Sequence, residues 1–151
     1  MRKAIVTEKA PKPLGPFSQA VVDGDFIFLA GQVCSNPLTG KLEPGDVRSE
    51  TKRTFENVRA ILQAAGSSLD DVVKCNVYLR DINDFSAMNE VYATFFSAPF
   101  PARTTIQAGA LPGGIAVEIE CIAKKGRKRA QKKARKKAEK KAEKKARKKV
   151  R

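Results

Sequence analysis

The amino-acid sequence predicts an α+β domain in which two helices cover one face of a mixed β-sheet. Apolar and polar residues alternate at 73–79 and again at 115–123, as in half-buried strands, whereas at 55–65 apolar residues recur at helical spacing. Charge is divided unevenly. Residues 1–123 hold 12 basic and 14 acidic residues, whereas residues 124–151 hold 18 basic and two acidic residues. A near-neutral domain, 1–123, is therefore expected to precede a basic tail, 124–151.

The first predicted elements are a hairpin and a helix. The apolar run FIFLAG at 26–31 follows AVVD and the turn Asp23-Gly24-Asp25, which is typical of a tight hairpin. A loop rich in Pro, Gly and Asn follows at 33–46. Asp46 is a suitable N-cap for the first helix, and Gly66 supplies its C-terminal end.

The later elements alternate between strands and a helix. After the strand at 73–79, Asp84 is predicted to cap a second helix. Two strands follow at 102–110 and 115–123, joined by a turn at 111–114 into a second hairpin. Two helices can cover only one face of this sheet, so the other face is either solvated or covered by another subunit in a closed homo-oligomer.

Residue types restrict the chemistry. The chain has no His, which excludes Ser-His and Cys-His nucleophilic sites, His-ligated metals and imidazole acid–base catalysis. Cys34, Cys75 and Cys121 are widely spaced and form no metal-binding or disulfide pattern, so we expect reduced thiols in a cytoplasmic protein. No apolar run approaches the roughly 20 residues of a membrane span, and the N-terminus does not have the pattern of a secretory signal.

The second predicted hairpin carries the candidate site. If Ala110 pairs with Ile115, then Arg103, Thr105, Glu118 and Glu120 share one face, because directly opposed residues do so. One interpretation is a solvated cross-strand ion pair, which contributes about 0–1 kcal/mol. The other is a substrate clamp, in which a guanidinium binds a carboxylate through two parallel hydrogen bonds and a nearby Glu activates a water molecule.

The sequence also resembles a known family, the RidA/YjgF imine deaminases. The resemblance runs in order and spacing from about residue 5 to residue 123. It is carried by TEKAPKPLGPFSQA, FLAGQV, NPLTGKL, NVRAILQAAG, VVKCNVYLRDINDFSAMNEVYATFF, FPARTTIQAGALP and VEIECIA.

This resemblance implies a chorismate-mutase-like fold and a homotrimer with sites between subunits. It implies hydrolysis of enamine and imine acids, such as 2-aminoacrylate and its imine, to 2-oxo acids and ammonia, without a cofactor or metal. By motif, Arg103 would bind the substrate carboxylate and Glu118 would activate the water. The remaining substrate-binding positions would be Phe17, Ala30, Gly31, Asn89 and Thr105.

Two of these positions depart from the commonest pattern of the family. Phe17 stands where Tyr is usual, and Ala30 stands where many deaminases have Ser. Each change removes a hydroxyl group, and one neutral hydrogen bond contributes about 0.5–1.5 kcal/mol, so we expect activity to be reduced rather than abolished. The Phe17 ring can equally serve as packing.

Family members have also been described as ribonucleases or translation inhibitors. The alternative interpretation is therefore a nucleic-acid-associated binding module in which the domain is a platform. The absence of His gives RNA cleavage no obvious acid–base pair, and the presence of both Arg103 and Glu118 favours the deaminase.

The tail repeats Ala every four residues from Ala130, with paired lysines between the alanines. Its residues favour helix, but its like charges repel, so we expect a helical or disordered segment. It is either a solubilising or cloning-derived extension or an arm that binds nucleic acid or another polyanion without sequence preference. The candidate polyanion-binding residues are Lys132, Lys133, Lys136, Lys137, Lys140, Lys141, Lys144 and Lys145.

Overall fold

A computed structural model describes residues 1–126, which form six strands and two α-helices. The strands are Lys3–Ile5 (β1), Ala20–Asp23 (β2), Phe26–Leu29 (β3), Val72–Leu79 (β4), Ala102–Gln107 (β5) and Val117–Lys124 (β6). The helices are Val47–Ala64 (α1) and Phe85–Phe95 (α2). The predicted architecture, a mixed sheet with both helices on one face, is confirmed.

The strands form one sheet in the order β1-β2-β3-β6-β4-β5. Every pair is antiparallel except β4 and β5, which run parallel and are connected through α2. The first hairpin is confirmed, because Asp23 pairs with Phe26 and Gly24 has a φ of 54°. The short edge strand β1 was not predicted from the sequence.

Both ends of α1 follow the sequence signals. The Asp46 side chain accepts hydrogen bonds from the backbone N–H groups of Arg48 and Ser49 at 2.8 and 3.0 Å. At the other end, Gly66 adopts a φ of 77° and Ser67 donates to the Leu62 carbonyl, which completes a Schellman motif.

The predicted cap of α2 needs a correction. Asp84 precedes the helix but its side chain caps nothing, since it belongs to a short 3-10 turn, Ile82–Asp84. Asp81 instead accepts the backbone hydrogen bond from Asn83 at 2.9 Å, so the capping carboxylate lies one turn earlier than predicted.

The core lies between the helices and one sheet face. Phe55 of α1 is fully buried, stacks on Phe95 at 4.8 Å and meets the Tyr92 ring edge-on at 5.4 Å. Alternate residues of the central strands pack beneath it and are at most 2 % exposed: Cys75, Val77, Leu79, Val117, Ile119, Cys121 and Ala123.

The predicted hairpin between the last two strands is wrong. Strand β4 lies between β5 and β6 and pairs with both. After β4 the chain crosses over through α2 and returns as β5, which runs parallel to β4 at the edge of the sheet. Strand β6 is instead inserted between β3 and β4. The strands are also shorter than predicted at their facing ends, since β5 stops at Gln107 and β6 starts at Val117.

A buried carboxylate explains why the segment between these strands is not a tight turn. Glu50 is 1 % exposed, and its two oxygens accept from Gly45 N at 3.0 Å and from Ala116 N at 2.6 Å. Ala116 O accepts from Arg80 N at 2.9 Å. The backbone at Ala116 is therefore bound to α1 and to the end of β4, and the segment passes across the end of β4 to reach the centre of the sheet.

Residues 127–151 lie outside the described part of the chain, so the predicted helical or disordered tail and its lysines are not addressed by the structure. Strand β6 continues to Lys124, one residue past the predicted domain boundary. Neither helix within residues 1–126 has the length and hydrophobicity that crossing a bilayer requires.

Replacing Asp46 tests the assignment of the α1 cap. Asp46→Ala should lower the free energy of unfolding by about 1 kcal/mol, because two N–H groups of the first turn lose their acceptor. Asp46→Asn should retain most of this stability, since its amide oxygen can accept the same bonds. The measurement is urea unfolding at fixed protein concentration, and equal losses in the two variants would contradict the hydrogen-bond explanation.

Candidate active site

Arg103 is held by aromatic rings rather than by a carboxylate. It lies on the edge strand β5, opposite Cys75, on the sheet face that the helices cover. Its guanidinium lies 4.5 Å from the centre of the Tyr92 ring and 5.4 Å from that of Phe85. The ion pairs among residues 1–126 join Arg48 or Arg53 to acids, and none includes Arg103. Arg103 is therefore a half-buried cation available to an anionic ligand.

A pocket of about 390 Å³ opens beside this guanidinium. A larger groove, about 610 Å³, lies between α1 and α2, but it is lined by the already paired Arg48 and Glu90 and is remote from Arg103. The smaller pocket is the better candidate site because it contains the unpaired cation. Its lining residues are Asn89, Tyr92, Ala93, Phe100, Pro101 and Arg103.

Thr105 supplies an unused polar atom on the same strand. It lies two residues beyond Arg103, so the two side chains share the helix-covered face. Its hydroxyl is buried and has no hydrogen-bond partner among residues 1–126. A buried hydroxyl without a partner is unfavourable, which makes it a candidate contact for a ligand.

Glu118 lies on the opposite, helix-free face, against the backbone of Gly31. Gln32 and Ile119 exchange two backbone hydrogen bonds, at 2.8 and 3.0 Å, which bring the 30–32 segment alongside β6. A Cβ atom added to Gly31 would overlap Oε1 of Glu118, so a larger residue here would require the Glu118 side chain to move. Ala30 is half-buried beside it.

The two glutamates of β6 have different environments. Glu120 accepts hydrogen bonds from Asn76 Nδ2 at 2.7 Å and from the Tyr78 hydroxyl at 3.0 Å. The Glu118 carboxylate accepts no hydrogen bond from residues 1–126, so it is free to hold water. Burial, and secondarily the charge of Glu120, raises the pKa of Glu118 above its ordinary value.

The structure corrects the predicted arrangement of the candidate residues. Arg103 and Thr105 are in register with Cys75 and Val77 of β4 and point to the helix-covered face. Glu118 and Glu120 are in register with Tyr78 and Asn76 and point to the helix-free face. Asn89 lines the pocket of Arg103. The described chain thus presents two candidate half-sites: Asn89, Arg103 and Thr105 form one, and Ala30, Gly31 and Glu118 the other.

Phe17 belongs to neither half-site by any contact that the structure shows. It is 55 % exposed, and its backbone N–H bonds to Gly15. Sequence reasoning also missed the rings beneath Arg103. The signal for them is their spacing, since Phe85 and Tyr92 are seven residues apart and so lie on one face of α2.

Comparison with known proteins places this fold and its residues in a family. The chain matches the family model described as endoribonuclease L-PSP over residues 7–125. A RutC family protein of Pyrococcus horikoshii is 50 % identical over 125 residues, covering 83 % of this chain and 99 % of the relative. The 2-iminobutanoate/2-iminopropanoate deaminase of Bos taurus is 48 % identical over 126 residues, covering 83 % of this chain and 92 % of that enzyme.

Solved structures agree with the sequence relatives. RidA from the Antarctic bacterium Psychrobacter superposes with a TM-score of 0.78 at 45 % identity, covering 81 % of this chain and 98 % of the other. TdcF of E. coli, solved with bound serine, superposes with a TM-score of 0.76 at 42 % identity, covering 81 % of this chain and 98 % of the other. The chain therefore belongs to the RidA/YjgF family, as its sequence motifs indicated.

Proposed function

We propose that this protein is a hydrolytic deaminase of 2-imino acids and their enamine forms, such as 2-aminoacrylate. The observation that carries this proposal is the unpaired, half-buried guanidinium of Arg103, which lies over two rings at the edge of a pocket. Several relatives at 43–48 % identity are named as 2-iminobutanoate/2-iminopropanoate deaminases, which supports the same substrate class.

In the proposed reaction, Arg103 binds the substrate carboxylate through two parallel N–H bonds and so orients the imine carbon. Glu118 holds a water molecule and accepts its proton as the oxygen attacks that carbon. Protonated Glu118 returns this proton to the nitrogen. The tetrahedral adduct then transfers its hydroxyl proton to the same nitrogen, expels ammonia and leaves a 2-oxo acid. One imine and one water give one oxo acid and one ammonia, so no cofactor is required.

Because Arg103 and Glu118 face opposite ways in one chain, we propose that each site is assembled from two subunits. One subunit contributes Arg103 and Asn89, and its neighbour contributes Gly31 and Glu118. The helix-free face supports such an assembly, because it exposes large apolar side chains alongside the polar group around Glu120. Phe26, Phe28 and Ile106 are 40 %, 42 % and 48 % exposed. A closed homotrimer, which the family resemblance implies, would cover this face.

We propose further that the basic tail associates with polyanions. It holds 18 of the 30 basic residues and only two acids, a density of charge that attracts nucleic acid. Its lysines are not interleaved with aromatic residues, so binding would follow charge rather than base identity.

A ribonuclease is the second candidate function, favoured by the printed description of the family, endoribonuclease L-PSP. We rank it below deamination because the chain contains no His to act as an acid or base on RNA. Incubating the full chain with a single-stranded RNA and resolving the products on a gel distinguishes cleavage from simple binding.

Removing Arg103 tests the carboxylate clamp. Arg103→Ala should lower kcat/KM for ammonia release from enzymatically generated 2-aminoacrylate by at least about 100-fold, because two charge-assisted bonds are lost. Arg103→Lys should recover little, since an ammonium cannot reproduce the planar fork. Arg59→Ala is the matched control, because Arg59 also lies over a ring, Phe95 at 5.1 Å, but outside the pocket. Wild-type activity in folded Arg103→Ala contradicts the assignment.

Glu118 should set the acidic limb of the pH profile. The base works only when ionised, so activity should rise with pH through the raised pKa of Glu118. Glu118→Gln should lower kcat by about 100-fold or more while changing the affinity for a 2-oxo acid product much less. Glu120→Gln should keep turnover but move the midpoint to lower pH, because it removes the charge that opposes ionisation of Glu118. If Glu120→Gln proves the more damaging change, the assignment of the base is wrong.

Mixing two inactive variants tests the shared site. Arg103→Ala and Glu118→Gln chains, differently tagged, are combined by co-expression, and complexes that carry both tags are purified. In a closed trimer that carries both tags, one site in three should contain both native residues, and activity should recover to about a third of the wild-type value. Each variant alone stays inactive. No recovery in the mixed complexes would show that Arg103 and Glu118 act within one chain.

The tail is tested by its salt dependence. Binding of the full chain to duplex DNA in gel-shift titrations should weaken steeply with salt, with a slope of about −0.9 in log K against log salt for each phosphate contacted. A chain truncated after the buried Gly126 should lose this binding and retain deamination. DNA binding by the truncated chain would instead locate the polyanion surface on the domain.

A further inference from the structure

Two thiols face each other beneath the candidate carboxylate site. Cys75 of β4 and Cys121 of β6 are directly opposed in the antiparallel pair, and their Sγ atoms are 3.4 Å apart. Opposed residues in antiparallel strands have Cα atoms about 4.5–5.5 Å apart, within the range that a disulfide spans. The two sulfurs can therefore bond without a rearrangement of the backbone.

The same row of the sheet joins this pair to Arg103. Arg103 is the β5 neighbour of Cys75, so Arg103, Cys75 and Cys121 lie side by side across three strands on the helix-covered face. Tyr92, whose ring lies under the Arg103 guanidinium, has a buried hydroxyl without a partner in hydrogen-bonding geometry among residues 1–126. That hydroxyl is nevertheless close enough to the Cys75 thiol to affect its ionisation, so a looser contact links the pair to the pocket.

The two thiols differ in reactivity. The hydrogen bond with Cys121 is the main cause that lowers the pKa of Cys75, with smaller contributions from the Tyr92 hydroxyl and the charge of Arg103, against the opposing effect of burial. That hydrogen bond and burial raise the pKa of Cys121. Cys34 is remote from the pair, and burial raises the pKa of its thiol to about 11. Cys75 also lies between Cys121 and Arg103 in the sheet and is therefore the thiol nearer the pocket, so we take Cys75 as the nucleophile and Cys121 as the resolving thiol.

We propose that Cys75 and Cys121 form a peroxide-sensitive thiol pair that closes to a cross-strand disulfide and thereby weakens substrate binding at Arg103. The Cys75 thiolate attacks one oxygen of hydrogen peroxide, the O–O bond breaks, and a sulfenic acid and water result after protonation. Cys121 then attacks the Cys75 sulfur, the S–O bond breaks and a second water leaves. Two thiols have lost two electrons and two protons, and the peroxide has become two waters. A dithiol reductant reverses the change by exchange.

Loss of the thiol affects the pocket through Tyr92. Disulfide formation draws the Cys75 sulfur toward Cys121 and away from the Tyr92 hydroxyl, which changes the ring surface on which Arg103 rests. Cys75 and Cys121 are at most 2 % exposed and do not line this pocket, so peroxide must pass Tyr92, the pocket residue beside Cys75, to reach them. The part of this inference that concerns substrate binding rests on the proposed function, whereas formation of the disulfide does not.

The experiment treats the reduced full chain with hydrogen peroxide, unfolds it, alkylates the remaining thiols and identifies linked peptides by mass spectrometry. We expect one intramolecular Cys75–Cys121 disulfide per chain, one alkylated thiol at Cys34, and recovery of all three thiols with dithiothreitol. Cys34→Ser should behave as wild type, and Cys75→Ser and Cys121→Ser should form no intramolecular disulfide. Three alkylated thiols after treatment, or linkage through Cys34, overturns the proposal, and this readout on the wild-type chain requires no variant to fold.

Kinetics on the same samples test the coupling. Oxidation should raise KM for the imine substrate about two- to ten-fold, because the Tyr92 ring beneath Arg103 loses its contact with the Cys75 sulfur, and dithiothreitol should reverse the rise. Cys75→Ser should show the same KM with and without peroxide. A disulfide that leaves KM unchanged overturns the coupling. If the reduced chain has no deaminase activity, the proposed function fails, and the thiol count still decides whether the disulfide forms.

Discussion

The position of β6 between β3 and β4 determines what each candidate residue can reach. Every second residue of β6 is buried under the helices, and the intervening residues, including Glu118 and Glu120, must face the other way. A strand with one fully buried side is stabilised most at the centre of the sheet, where both of its own edges are paired with neighbouring strands. Its insertion there moves β5 to the edge and gives Arg103 the open flank beside α2. The separation of cation and carboxylate is thus a consequence of how the core is packed.

The two charged groups are stabilised in different ways, and each suits its proposed task. The charge of Arg103 lies against ring faces, which leave all of its N–H groups able to donate to a ligand. Glu118 is half-buried and close to another acid, Glu120, and both conditions raise its pKa above that of an exposed carboxylate. Glu50 shows the contrast: its oxygens are occupied by backbone N–H groups, so it serves the fold and not the chemistry.

Local patterns in the sequence predicted local structure well, and long-range pairing poorly. The Asp46 cap, the Gly66 end of α1 and the hairpin at Gly24 each depend on a few neighbouring residues, and each was confirmed. The order of β4, β5 and β6 rests on contacts between distant residues, such as the bond that Ala116 donates to Glu50 across 66 positions, which no local pattern reveals. The family resemblance predicted Arg103 and Glu118 as site residues, which stays a prediction, but the assumed hairpin wrongly placed them on one face. The contact of Arg103 with two aromatic rings was not predicted from the sequence, because Phe85 and Tyr92 also fit the pattern of an ordinary buried helix face.

The contact between Gly31 and Glu118 also limits how this pocket can diversify. A side chain at residue 31 would force the Glu118 carboxylate to move, so a substitution there changes the position of the candidate base as well as the shape of the site. The neighbouring Ala30 is half-buried, whereas Phe17 is more than half exposed. A library aimed at altering the substrate range should therefore vary position 30 and hold position 31 constant. Position 31 thus links the volume of one side chain to the geometry of the base.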